Sequence, residues 1–237
     1  MAQLAPLADG PKGRVPEIRN AYRYLRGAHS SVEGLFDAAQ RLSNARRADN
    51  ENTKGRMAQE EVDMLRAAVV FTSSGLDASM KRLVNDVGRH LINQPGTAAR
   101  AQFEAYLKQD LAAPSVNADL RSAIIRVDPS TALIDYYLAA RTKASFQGSG
   151  DLKSRVRGSL GIADQRVPLS RLKSLDDFFG VRNSIVHSMD YRDVSSASTS
   201  ARVHRSADQV VGLCGQAFDV AADLMHAAAE VVIACRK

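Results

Sequence analysis

Arg182, Asn183 and His187 lie within six residues of one another in the stretch SLDDFFGVRNSIVHSMDYR, Ser174 to Arg192. Their side chains are the ones phosphodiester chemistry uses. His187 is the only group of the three that can transfer a proton near neutral pH. A guanidinium such as that of Arg182 pairs its planar fork with phosphate oxygens and stabilises charge building up on a phosphorane. Asn183 would orient the imidazole or hold a phosphate oxygen. Asn183 and His187 are i and i+4, so on a helix they share a face. Arg182 and His187 are five apart, about 140° around and about 7.5 Å along the axis, and need not converge within one helix. Two copies crossing at a two-fold axis would bring two Arg and two His into one cleft.

The surrounding stretch predicts the helix that must carry them. Leu175, Phe178, Phe179, Ile185, Val186 and Met189 form one apolar stripe at about 100° per residue. Arg182 falls in the middle of that stripe, where an unpartnered buried charge costs several kcal/mol. Local hydrophobicity does not account for it; a dimer seam would. A polar row flanks the stripe: Asp176, Asn183, His187 and Asp190. Asp190, one turn past His187, either fixes the imidazole tautomer or is a surface acid. Asp77, among apolar positions of an earlier helix, is either a structural cap or exposed acid, or the acid that pairs with Arg182. Asp176-Asp177 fits a first helical turn after an N-cap at Ser174 better than a metal pair.

Arg182-Asn183-x-x-x-His187 after an apolar helical lead-in resembles the R-x4-H signature of HEPN-domain ribonucleases, small all-α proteins common in toxin–antitoxin and antiviral defence systems. The Asn after the Arg, the apolar pair before the His and a final long helix strengthen the resemblance. More loosely, Arg66–Val87, RAAVVFTSSGLDASMKRLVNDV, is similar to the early core helix of the RiboL-PSP-HEPN subgroup. The resemblance implies a homodimer with a composite active site and cleavage of RNA to 2′,3′-cyclic phosphate and 5′-hydroxyl ends. It also implies a regulatory partner such as an antitoxin.

At 237 residues the chain suits one large domain. Hydrophobic residues make up 45% with no Trp, which fits a helical core of aliphatic side chains and Ala. The net charge of +6 and a pI near 9.5 suit a polyanionic partner such as RNA. Cys214 and Cys235, 21 residues apart on one predicted helix, lie about 30 Å from each other and cannot bridge. They read as small buried hydrophobes in a reducing compartment, and with no signal-peptide core and no membrane-spanning run the chain is expected to be cytoplasmic. No Walker A, dinucleotide Gly motif, G-x-S-x-G or Cys/His metal spacing occurs, so neither cofactor nor metal is expected.

The expected fold is an all-α, HEPN-like antiparallel bundle with extra helices between its core helices. Residues 1–16, rich in Pro and Gly, are expected to be loosely ordered, with residues 17–237 a single domain in which 17–47 is a helical N-terminal extension. Gly27 and Gly34 in that helix predict close approach of a neighbour, and His29 reads as a packed core histidine. After a polar turn at 48–55 a second long helix runs from about 57 to 92, its small run Thr72-Ser73-Ser74-Gly75 permitting tight packing or a kink. Shorter helices are predicted at 98–112, 117–126 and 130–146, with Thr97 an N-cap. Residues 147–170 read as a looser basic region. Lys153, Arg155, Arg157, Arg171 and Lys173, with Arg166, would steer RNA toward the site, or the segment is a solvated loop that happens to be basic. A polar connection at 194–200 leads to a last helix at 202–234, rich in small residues and expected to pack antiparallel on a neighbour. His204 and His226 fit no cluster.

An endoribonuclease is the first reading. The alternatives are a non-catalytic HEPN-like module that binds RNA, nucleotides or a protein, and a structural helical protein in which Arg182 pairs with a core acid and His187 is solvated.

Overall fold

The computed structural model describes residues 3–49, 57–193, 195 and 202–236. Two helices of 34 residues dominate it, α1 (Pro16–Asp49) and α2 (Gln59–Ile92), each about 50 Å long. They form an antiparallel hairpin. Arg46 at the end of α1 pairs with Glu61 at the start of α2 at 2.7 Å, and Glu17 at the start of α1 reaches His90 at the end of α2 at 3.3 Å. Leu25, Val32 and Ala39 of α1 meet Leu65, Val69, Leu76, Leu83 and Val87 of α2 in one buried core. α1 is therefore part of the core, not the appended extension its position predicts. The polar turn expected at 48–55 lies, from residue 50 on, outside the described residues.

The two helices approach most closely at Gly75. A Cβ there would stand 2.1 Å from the Cβ of Ala28, so only a glycine lets the backbones meet. The small run at 72–75 serves tight packing, as expected. Gly27 and Gly34 do not mark such a contact: both are exposed, with nothing within 4 Å of an added Cβ.

The last long helix, α9 (Ala207–Ala234), is antiparallel to α1, as expected, and parallel to α2. Arg236 just past its end pairs with Glu17 at 2.8 Å, while Val203 just before its start accepts from Arg66 of α2 at 2.8 Å. Its Ala- and Val-rich face lies in the core with Cys214 and Phe218. His29 is a packed core histidine, edge-on to Phe218 at 5.0 Å, with its Nε2 2.9 Å from the Ala5 carbonyl. Burial pushes the Cys214 thiol up to about 12.

Three short helices follow α2: α3 (Ala98–Leu111), α4 (Ala118–Ile124) and α5 (Pro129–Thr142). Each starts on a side-chain cap, since Thr97, Asn117 and Asp128 accept from the backbone N–H of Arg100, Asp119 and Thr131. Among the described residues there is no strand, only an isolated antiparallel bridge between Tyr191 and Arg202, and no helix is long and apolar enough to cross a membrane. The fold is an all-α bundle.

Two segments differ from expectation. Residues 3–15 are a strap packed across α1 and α9, not a loose tail. Leu4 and Val15 are buried, and the carbonyls of Ala5, Ala8 and Asp9 accept from His29, Tyr22 and His226. Residues 147–173 are not a loose loop either. They form a short α6 (Ser149–Asp151), a π-helical turn (Leu152–Arg157) and α7 (Leu169–Lys173), with Leu152, Val156, Leu160, Val167 and Leu172 in the core.

Candidate functional site

The motif helix is α8 (Asp176–Ser188), which packs on α2 and α9. Leu175, Phe178, Phe179 and Ile185 anchor it in the core. The rest of the stripe turns outward: Val186 is 45% and Met189 61% exposed. Asp176 and Asp177 occupy its first turn, where the helix dipole favours acids. Ser174 is not the N-cap. Its hydroxyl donates to the Arg171 carbonyl at 2.7 Å, and Leu175 holds the cap position without a side-chain bond.

Arg182, Asn183 and His187 all sit within regular α8. Arg182 is half-buried, and its Nη1 donates to Asn183 Oδ1 at 3.0 Å. No acid pairs with it among the described residues. His187 is exposed and makes no side-chain hydrogen bond there. The two groups diverge around the helix as their spacing requires. Asn183 lies between them, bonded to the guanidinium and one turn below the imidazole on the same face.

The C-terminus of α8 explains where Asp190 goes. Met189 and Asp190 are both left-handed, with φ of 51° and 64°. The Met189 N–H bonds to the Ile185 carbonyl at 3.0 Å and the Asp190 N–H to that of Ser184 at 3.1 Å, so the chain doubles back over the last turn of the helix. This reversal carries Asp190 off the His187 face and into the interior. It is neither a surface acid nor the residue that fixes the imidazole tautomer.

Asp190 is instead fully buried at the centre of an ion cluster. Arg205 donates to both of its oxygens, at 2.9 and 2.7 Å, Arg66 of α2 donates at 3.2 Å and the Ser184 hydroxyl at 3.0 Å. Arg66 also bonds Asp63 at 2.8 Å, and Asp63 accepts from Arg202 at 2.9 Å. Burial pushes the Asp190 carboxyl up, but hydrogen bonds from Arg205 and Ser184 and the Arg205 charge outweigh it, leaving it below the usual carboxylate range. The cluster fastens the end of α8 to α2 and to the chain entering α9. Sequence reading missed Arg66 and Arg205 because both lie far from Asp190 along the chain.

Asp77 does not reach Arg182. It accepts from the Phe146 backbone N–H at 2.8 Å and pairs with Lys81 at 2.7 Å, which makes it a structural acid.

Most of the basic approach segment is engaged internally. Arg155 donates to the carbonyls of Arg141, Ala144 and Ser145 and lies over the Phe146 ring, 4.4 Å from its centre. Arg157 bonds the Val167 carbonyl and Asp164, Arg166 pairs with Glu230, and Arg171 pairs with Asp223 at 2.7 Å. Apart from Asp164, these acceptors are backbone carbonyls or acids remote in sequence. Lys153 and Lys173 remain exposed.

Beside the motif, the first turns of α8 and α9 enclose an open groove of about 630 Å³, lined by Asp176, Asp177, Gly180, Arg205 and Asp208 among others, though not by Arg182 or His187. No group of three or more His, Cys, Asp or Glu among the described residues is placed to hold a metal ion. No family model, curated protein or solved structure matches this chain.

Proposed function

We propose that this chain is an endoribonuclease of HEPN type that acts as a homodimer without a metal. The observation that carries the reading is the state of Arg182: a half-buried guanidinium with no acid paired to it among the described residues, held by Asn183 one turn from an open imidazole. A cation kept in partial burial without a carboxylate partner is poised for an anionic guest.

The chemistry follows from the groups present. His187 of one subunit takes the proton from a ribose 2′-hydroxyl, and the 2′-oxygen attacks the adjacent phosphorus. Arg182 stabilises the phosphorane by pairing with its equatorial oxygens. The 5′-oxygen leaves with a proton supplied by the second His187, so one imidazole ends charged and the other neutral. The products are a 2′,3′-cyclic phosphate and a 5′-hydroxyl. Because Arg182 and His187 diverge within one helix, the cleft needs a second copy of α8. Val186 and Met189, exposed beside His187, supply an apolar seam for it.

One observation favours the second reading, a non-catalytic RNA- or protein-binding module. With Asp190 turned inward, no side chain among the described residues hydrogen-bonds the His187 ring. The test is a pair of variants. Arg182→Ala and His187→Ala each abolish RNA cleavage in EDTA while the circular dichroism spectrum and the dimer elution volume stay unchanged. Cleavage persisting in either variant removes the catalytic assignment.

A further inference from the structure

The N-terminal strap and the first three turns of α1 build a second basic surface, at the far end of the hairpin from the motif. Residues 10–26 hold five basic side chains, Lys12, Arg14, Arg19, Arg23 and Arg26, against one acid, Glu17. Glu17 is already engaged by His90 and Arg236. The four arginines are exposed, and none has a side-chain hydrogen bond or ion pair among the described residues. They line an open groove of about 680 Å³ whose other wall is the Gly10–Pro16 backbone and Tyr22. The wall is firm, because the Tyr22 hydroxyl donates to the Ala8 carbonyl at 3.0 Å and Val15 is buried.

The exposed guanidinium groups repel one another only weakly across water, and an anion placed between them turns that repulsion into attraction. The shape decides what kind. Arg19, Arg23 and Arg26 follow one side of α1 over about 10 Å. Arg23 also lines an adjoining depression of about 410 Å³ with Asn20, Tyr24 and Arg82. The two hollows share Arg23 as a wall, and together they give a track longer than one small anion needs. Tyr24 stands in the second hollow with 54% of its surface exposed, an aromatic face beside a row of guanidinium groups. Charge along a track with an open ring next to it is the recognition chemistry of a single-stranded nucleic acid, phosphates on arginine and a base stacked on the ring.

We infer that this track binds the backbone of single-stranded RNA. Asn20 lies against Asp86, and Asp86 is 20 residues along α2 from Arg66, so the track is about 30 Å from the Asp190 cluster and from the end of α8. It is a separate surface. Binding here does not require cleavage at His187, and a chain that holds RNA without cutting it satisfies the inference.

The experiment uses the full chain and a fluorescein-labelled 20-nucleotide 2′-O-methyl oligouridylate, which cannot be cleaved through its 2′-oxygen. Anisotropy is followed from 50 to 300 mM salt. Arg19→Glu with Arg23→Glu weakens binding by about tenfold or more and flattens the logarithmic salt slope by about 1.4, the value for two lost phosphate contacts on a single strand. Arg121→Glu with Arg126→Glu, the same charge change at exposed sites elsewhere, weakens it by less than about threefold. Tyr24→Ala weakens oligouridylate binding but leaves tripolyphosphate binding unchanged. Should the α1 pair misfold by circular dichroism, Arg19→Gln with Arg23→Gln is read the same way. Absence of binding by the native chain, equal losses in the two charge-reversal pairs, or an unchanged affinity in Tyr24→Ala together with full displacement by tripolyphosphate would each overturn the inference.

Discussion

Arg205 grips Asp190 at two points, Nε to Oδ2 at 2.9 Å and Nη2 to Oδ1 at 2.7 Å, with the carboxylate fully buried. This pair and Arg66 determine how α8 leaves the core and therefore which way its motif face looks. Removing the carboxylate charge leaves the buried Arg205 guanidinium uncompensated and Arg66 with Asp63 alone. Asp190→Asn is expected to lower stability by about 3–5 kcal/mol in urea denaturation. A loss under 1 kcal/mol would show that the cluster is not what fastens α8.

The same cluster sets an acid limit. Asp190 and Asp63 both have folded-state carboxyl groups held below their usual range. Groups of this kind stabilise the fold at pH values above their unfolded pKa, near 3.9, and that contribution is lost as pH falls through the lower folded value. Stability is therefore expected to be level across neutral pH and to drop below about pH 4. In Asp190→Asn the drop is shallower, read as the urea midpoint against pH.

Gly75 and Ala28 give a stability test of the hairpin. Gly75→Ala places a methyl 2.1 Å from the Ala28 Cβ and is expected to cost about 1–3 kcal/mol. Ala28→Gly in the same chain recovers part of it. Gly27→Ala and Gly34→Ala, facing open space, are expected to stabilise by about 0.5–1 kcal/mol each. Thermal denaturation of the four variants separates the two classes by sign.

The thiols should differ in reactivity. Cys214 is buried with its thiol pushed up to about 12, whereas Cys235 is half-buried at the C-cap of α9. Native protein at pH 8 is expected to lose one thiol to iodoacetamide, at Cys235, and to lose the second only in denaturant. Mass spectrometry of the peptides reads this directly.

The long helices could be read from sequence because their apolar spacing is local information: α1, α2 and α9 fall close to the positions their periodicity predicts. So could the short ones, the first of them announced by Thr97, while the caps at Asn117 and Asp128 emerge only in the structure. What was illegible depends on partners remote in sequence or lacking a side-chain signature. The Arg155 acceptors are backbone carbonyls in the last turn of α5 and just past it, which a tally of charges does not register. His226 and Tyr22 are satisfied by carbonyls of the strap, which its Pro and Gly content disguised as a loose tail. Extrapolating the helix puts Asp190 one turn past His187, but two consecutive left-handed residues, neither of them glycine, end α8 at Ser188, two residues short of it.

In the proposed function, Arg182 and His187 cleave RNA by attack of the 2′-oxygen. The most direct measurement is incubation of the native chain and of His187→Ala with total RNA in EDTA, followed by labelling of the fragments with polynucleotide kinase, with and without prior phosphatase. The native chain should yield fragments that take up label at a 5′-hydroxyl without phosphatase, their partners ending in a 2′,3′-cyclic phosphate, and His187→Ala should yield none. Fragments bearing 5′-phosphates, equal cleavage by His187→Ala, or intact RNA with the native chain would contradict it.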